Sequence, residues 1–212
     1  MVREQTTTLY TFGDSILDCG WYNEFRLNVG QLLVKNDDRR FPEFRGRDLS
    51  SHGKARLIHR AVDGATVGDL PMQAKGIADP GPAIAILTIG GNDILKNLGN
   101  PQGLATFEDE LARFVRALPI RPILLGNVYD PSMGDDANNF LGLAPAVTRV
   151  MHARINGAIA EVAQSYGHLV DLHAHFLTGD QSWFAQTIEP SLRGVSEVRR
   201  SFLPLVLDEL GR

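Results

Sequence analysis

Short apolar runs alternate along this chain with stretches in which apolar residues recur every three or four positions. That alternation restricts the fold more than any other feature. The runs Thr8–Phe12, Arg56–Val62, Ala83–Ile89, Pro122–Val128 and His168–Leu172 read as strands. Between and after them, Phe107, Leu111, Phe114 and Leu118 mark one helix, with Thr106 placed to cap it. Val147, Met151, Ile155, Ile159 and Val162 mark a long amphipathic helix over Ala144–Tyr166. Val195, Val198, Phe202, Leu205, Val206 and Leu210 mark a C-terminal helix, in which Pro204 predicts a kink or break. Strands alternating with helices make βαβ units and a mainly parallel sheet with helices on its faces. With 212 residues the chain has length for one full core, so residues 1–212 are expected to form a single domain.

Composition removes several classes of function. The net charge is -4 and no basic block stands out, so there is no electrostatic case for nucleic acid. No apolar stretch approaches the roughly 20 residues that span a bilayer. Residues Met1 to Thr8 lack the apolar centre of a signal peptide, and a cytoplasmic protein is expected. Cys19 is the single cysteine, so no internal disulfide forms, and a small buried residue is the expected role. No cofactor motif is found, and the pair Asp135-Asp136 lacks the ligand spacing of a calcium loop. Neither a cofactor nor a metal is expected. Oligomeric state is not legible.

Gly13-Asp14-Ser15-Ile16 directly follows the first strand. A serine on a glycine-opened turn at the carboxyl edge of an open α/β sheet lies where such sheets place their active sites. Its hydroxyl is presented to substrate while N–H groups of the turn face the reacting atom. Taken alone, the same residues fit an ordinary helix N-cap. Two further segments share that placement: Ala61-Val62-Asp63-Gly64-Ala65-Thr66 after the second strand, and Thr88-Ile89-Gly90-Gly91-Asn92-Asp93 after the third.

These three blocks, in this order, resemble the SGNH (GDSL-type) hydrolases, a family of esterases and acyl hydrolases. The resemblance runs from about residue 8 to the C-terminus. It implies a flavodoxin-like three-layer α/β/α sandwich with a five-stranded parallel sheet in the order 2-1-3-4-5. It also implies that Ser15 is the nucleophile, and that the backbone N–H of Gly64 and the side-chain amide of Asn92 stabilise the oxyanion. A small ester would be the substrate, reacting through an acyl-enzyme. Asp14 and Asp93 read as support for the Ser15 turn or, for Asp93, as a cap of the following helix.

The fourth block departs from the family pattern Asp-x-x-His-Pro. The matching segment is Gln186-Thr187-Ile188-Glu189-Pro190-Ser191-Leu192-Arg193-Gly194. Proline, glycine and the helix that follows are kept. Glu189 stands at the histidine position and Gln186 at the aspartate position. Histidine suits proton transfer because its pKa, roughly 6.5, lies near working pH; glutamate, at roughly 4.3, is the weaker base unless burial raises it. Gln186 is placed to orient that carboxylate. The paired change fits a Ser–Glu mechanism, and fits equally a binding protein that has lost catalysis. A displaced base is a third reading: Asp171, His173 and His175 alternate at the end of the fifth strand and face one way if the strand continues. His52, His59, His152 and His168 have no comparable context. Lys35–Lys54 and Tyr129–Gly142 read either as walls of the substrate site or as surface loops.

Overall fold

The computed structural model of the chain describes residues 5–98, 100–138 and 144–210. Strands β1 (Thr7–Gly13), β2 (Ala55–His59), β3 (Ala83–Thr88), β4 (Ile123–Gly126) and β5 (His168–Val170) form one parallel sheet in the order β2-β1-β3-β4-β5. The expected order is therefore found. The two central strands, β1 and β3, are buried almost along their length, and period 2 sends alternate residues to opposite faces. Tyr10, Phe12, Ala85 and Leu87 join one core, while Leu9, Ile84 and Ile86 join another. Two apolar faces require helices on both, which gives the three layers.

The first core is closed by α4 (Phe107–Ala117) and α5 (Pro145–Tyr166). Their stripes Phe107-Leu111-Phe114-Val115 and Met151-Ile155-Ile159-Val162 are buried. Val147, read as part of the α5 stripe, is instead exposed in the first turn of the helix. The second core is closed by α1 (Val29–Val34) and α7 (Leu192–Asp208). The short helices α2 (Leu70–Gln73), α3 (Gly91–Lys96) and α6 (Leu172–Phe176) follow β2, β3 and β5 at the carboxyl edge of the sheet.

Three expectations are corrected. Thr106 makes no side-chain cap to α4. Pro204 does not break α7, which is assigned as helix from Leu192 to Asp208. Pro204 and Arg200 lie on the exposed side, so the carbonyl left without its helical donor faces water while Val195, Val198, Phe202 and Val206 stay packed. The segment Lys35–Lys54 is neither a substrate wall nor a simple surface loop. Phe41, Phe44 and Leu49 are buried in the second core around Arg199, whose guanidinium stacks on both rings and donates to Asn36 Oδ1 (2.6 Å) and Ser196 Oγ (2.7 Å). Burial lowers that guanidinium to about 10. The N-terminal residues 1–4 and the later part of the Tyr129–Gly142 stretch, 139–142, lie outside the described residues.

Candidate active site

Gly13 ends β1 with φ +113°, and a Cβ there would lie 1.6 Å from the carbonyl oxygen of Thr88. Only glycine lets β1 and β3 approach so closely while the chain turns toward Ser15. Gln73 fastens the point, its amide accepting from Gly13 N–H (2.7 Å) and donating to Gly13 O (2.8 Å). Asp14 N–H donates to Thr88 O (3.1 Å), while its carboxylate accepts from Thr88 Oγ1 (2.8 Å) and Ile16 N–H (3.2 Å). Asp14 thus supports the Ser15 turn from within the protein, and burial pushes it up to about 7. Ser15 itself is 9 % exposed and lines a cleft.

Glu189 reaches that cleft from a hairpin, β6 (Phe184–Ala185) and β7 (Glu189–Pro190), which precedes α7. Gly194 lies so close to Trp183 O that a Cβ would sit 2.0 Å from it, and Ser191 Oγ caps α7 through Gly194 N–H (3.2 Å). Tyr129 Oη donates to Ile188 O (2.7 Å). These contacts fix the register of the segment and place Glu189 beside Ser15. Burial raises the Glu189 pKa, the nearby Ser15 hydroxyl opposes this, and the charge of Asp63 adds to the rise. The second carboxylate oxygen, Oε2, is buried without a hydrogen-bond partner among the described residues.

Gln186 does not orient it. Gln186 and Thr187 turn the hairpin in the left-handed region (φ +46° and +78°), and the exposed Gln186 makes no hydrogen bond to the carboxylate among the described residues. The displaced-histidine reading fails on geometry as well. Strand β5 stops at Val170, and Asp171 caps α6 by accepting from Ala174 N–H (2.9 Å). His173 and His175 therefore sit on a helix. His175 Nε2 meets Glu197 Oε2 at 3.0 Å, and the His173 ring packs edge-on against His152, centroids 4.7 Å apart.

Gly64 and Asn92 belong to neighbouring turns at the same edge. Val62 N–H donates to Gly13 O (2.9 Å), and Gly64 follows with φ +78°. Its N–H has no partner among the described residues. Asn92, in the first turn of α3, donates through Nδ2 to Ala65 O (3.0 Å), and the second N–H of the amide has no partner among the described residues. Asp93 neither caps its helix nor braces the Ser15 turn. Both its oxygens accept from Val67 N–H (3.2 Å each), steadying the chain just beyond Gly64, and burial pushes it up to about 6. Ser15, Asn92 and Glu189 line one cleft; Gly64 is not part of its lining but is tied to it through the Ala65–Asn92 bond.

The cleft has a volume of about 120 Å³. Ile16, Ile94, Leu95, Val128 and Ile188 make it largely apolar, and Asp130, Ser132, Arg149 and His152 form a polar side. Residues 129–132 thus supply the wall expected of the Tyr129–Gly142 stretch. Arg149 binds Asp130, Asp136 and Ser132 together, joining this loop to α5. Burial works to raise Asp130, but hydrogen bonds from Arg149, Ser132 and Gly134 outweigh it and hold the group at about 2. His152 was not expected here. Its Nε2 lies 2.7 Å from Val128 O, and burial together with His173 lowers its pKa. Cys19 is buried with its thiol pushed up to about 12, which leaves it unreactive.

Residues 11–194 match the GDSL-like Lipase/Acylhydrolase family. The chain belongs to that family. No curated protein sequence matches it. Among solved structures, this GDSL-family chain is similar to the acetylxylan esterase Axe2 of Geobacillus stearothermophilus (20% identity, TM-score 0.68, covering 96% of this chain and 94% of that one). It is also similar to an alpha/beta hydrolase enzyme from the metagenome of Lake Arreo, Spain (23%, 0.62, 94% of each chain). A third is the lipase Lip_vut3 from a goat rumen metagenome (16%, 0.63, 97% of each). At these identities the likeness speaks for the fold. Among the described residues of this GDSL-family chain, no helix is long and apolar enough to cross a membrane.

Proposed function

We propose that the protein is a serine ester hydrolase in which Ser15 is the nucleophile and Glu189 the proton acceptor. The observation that carries this reading is the placement of Ser15 in one cleft beside a carboxylate that burial has made more basic. In the reaction, the Ser15 oxygen attacks the ester carbonyl carbon while its proton passes to Glu189. The carbonyl π pair moves onto oxygen, which takes hydrogen bonds from Gly64 N–H and the second N–H of Asn92 Nδ2. As the carbonyl re-forms, the bond to the alcohol oxygen breaks and Glu189 returns the proton to the departing alcohol. Water repeats the sequence on the acyl-enzyme, releasing the carboxylic acid and free Ser15. A Ser–Glu pair forms no imidazolium, so no aspartate is needed behind it.

The cleft volume of about 120 Å³ and its apolar lining favour a short acyl group. Axe2 is an acetylxylan esterase, and its variants at one serine and one histidine are described as catalytic mutants. The serine has its counterpart in the proposed role of Ser15, and the histidine is replaced in that role by Glu189. One observation favours a second reading, a binding protein with little turnover: Glu189 lacks an orienting partner for Oε2. Incubation with a fluorophosphonate followed by peptide mass spectrometry separates the two. A covalent adduct on Ser15, absent in Ser15→Ala and weakened in Glu189→Gln, supports the hydrolase. An unmodified Ser15 in folded protein supports the binder.

A further inference from the structure

The Ser15 turn and the Gly64 turn come from different strands, yet one carboxylate joins them. Asp18 lies three residues after Ser15 and belongs to its turn, donating its N–H to Asp14 O (3.0 Å). Its Oδ2 accepts from the backbone N–H of Asp63 at 3.0 Å, the residue directly before Gly64. Its Oδ1 lies 3.1 Å from Nε2 of His59, at the end of β2. His59 is anchored in turn by Nδ1 at 2.6 Å from Oγ1 of Thr11, a fully buried residue of β1. A hydroxyl, an imidazole and a carboxylate thus run in line from the sheet interior to the backbone of the Gly64 turn. The order is that of a catalytic triad, but the buried Thr11 hydroxyl cannot meet a substrate. Its place suits support instead.

The Gly64 turn needs such support. Gly64 is exposed, Val62 and Asp63 are exposed beside it, and the left-handed φ of Gly64 is one that solvent contact does not enforce. Val62 N–H to Gly13 O (2.9 Å) and Ala65 N–H to Val62 O (3.1 Å) hold the two ends of the turn, and Tyr22 Oη grips only the Asp63 side chain (2.5 Å), so the Asp63–Gly64 peptide between them is left to Asp18. Asp18 grips the backbone itself. Rotation of the Asp63–Gly64 peptide would move the Gly64 N–H, the group assigned above to the oxyanion.

We propose that Asp18 is a positioning residue, held by His59, that locks the Asp63–Gly64 turn to the Ser15 turn and so aims the Gly64 N–H. The inference rests on the proposed role of that N–H. The lock itself is a structural claim, measurable without activity.

The test compares wild type, Asp18→Ala, Asp18→Asn and His59→Ala by amide hydrogen exchange and by kcat and KM on p-nitrophenyl acetate. In wild type the Asp63 amide is protected. Asp18→Ala removes the protection and lowers kcat by about 10–100-fold with KM nearly unchanged, the cost of a misplaced oxyanion donor. Asp18→Asn keeps an oxygen for Asp63 N–H and recovers most of both readouts, and His59→Ala falls between. An Asp63 amide equally protected in wild type and Asp18→Ala overturns the lock. A kcat unchanged in Asp18→Ala despite lost protection overturns its catalytic importance. If wild type turns over no ester, the hydrolase reading fails, while the exchange data still decide whether Asp18 holds the turn.

Discussion

Glu189 sits beside Ser15, and Oε2 of its carboxylate is buried without a hydrogen-bond partner among the described residues. A carboxylate in this state is poorly solvated and attracts a proton more strongly than an exposed one. Its neighbour Asp63 adds negative charge in the same direction. The pH dependence of activity follows. Glu189 must be ionised to accept the serine proton, so kcat/KM should fall as pH drops through a pKa above the usual glutamate value of roughly 4.3. The acid limb of the profile for p-nitrophenyl acetate should therefore lie at higher pH than an unperturbed glutamate gives. A profile flat down to the ordinary glutamate range places the base elsewhere.

Asp14 makes a separate prediction about stability. Its folded pKa is about 7, against about 3.8 unperturbed. Between those values the folded protein holds a proton that the unfolded chain has lost. Its contribution therefore falls as pH rises from about 4 to about 7 and is level above that. Asn keeps an oxygen to accept from Thr88 and Ile16 without the buried charge. Asp14→Asn should then flatten the fall in thermal midpoint across this window and stabilise the protein at pH 8. Calorimetry at several pH values checks this; parallel curves for the two proteins exclude it.

Gly13 should tolerate no side chain. An alanine Cβ would meet Thr88 O at 1.6 Å in a backbone conformation alanine rarely adopts. Gly13→Ala should cost at least about 3 kcal/mol in chemical denaturation, or fail to fold. A variant of near wild-type stability would show that β1 and β3 do not approach as described.

Much of this was legible beforehand, for physical reasons that differ by element. Strand β3 announces itself because both its faces are buried and six residues run apolar or nearly so. Pro190 and Gly194 keep the register that places Glu189 beside Ser15. The exposed place of Gln186 was not legible because it stands in a hairpin turn built on two left-handed residues, and neither Gln nor Thr signals that conformation. His173 and His175 were misread because Asp171 ends β5 early by capping α6, so strand periodicity no longer applied. His152 was missed altogether. It lies beside the buried stripe of α5, and nothing local says that the helix passes the end of β4 there. Arg199 was missed for the same reason: the rings that enclose it come from Phe41 and Phe44, far away in sequence.

Arg149 ties the wall of the cleft to α5. Removing it leaves Asp130 largely buried with fewer donors and frees the loop that carries Ser132. Arg149→Ala should raise KM for short-chain esters several-fold and lower stability by about 1–3 kcal/mol, with a smaller effect on kcat. Steady-state kinetics and denaturant titration read both. A loss confined to kcat would instead place Arg149 in the chemistry.

The central claim is that Glu189 is the base for Ser15, and the rate of Glu189→Gln on p-nitrophenyl acetate tests it most directly. Glutamine keeps the size and a hydrogen-bonding oxygen but cannot take the proton. With folding verified by circular dichroism, the account predicts a fall of about 10²–10⁴-fold relative to wild type, matched by Ser15→Ala. A Glu189→Gln rate within twofold of an active, Ser15-dependent wild type would contradict it.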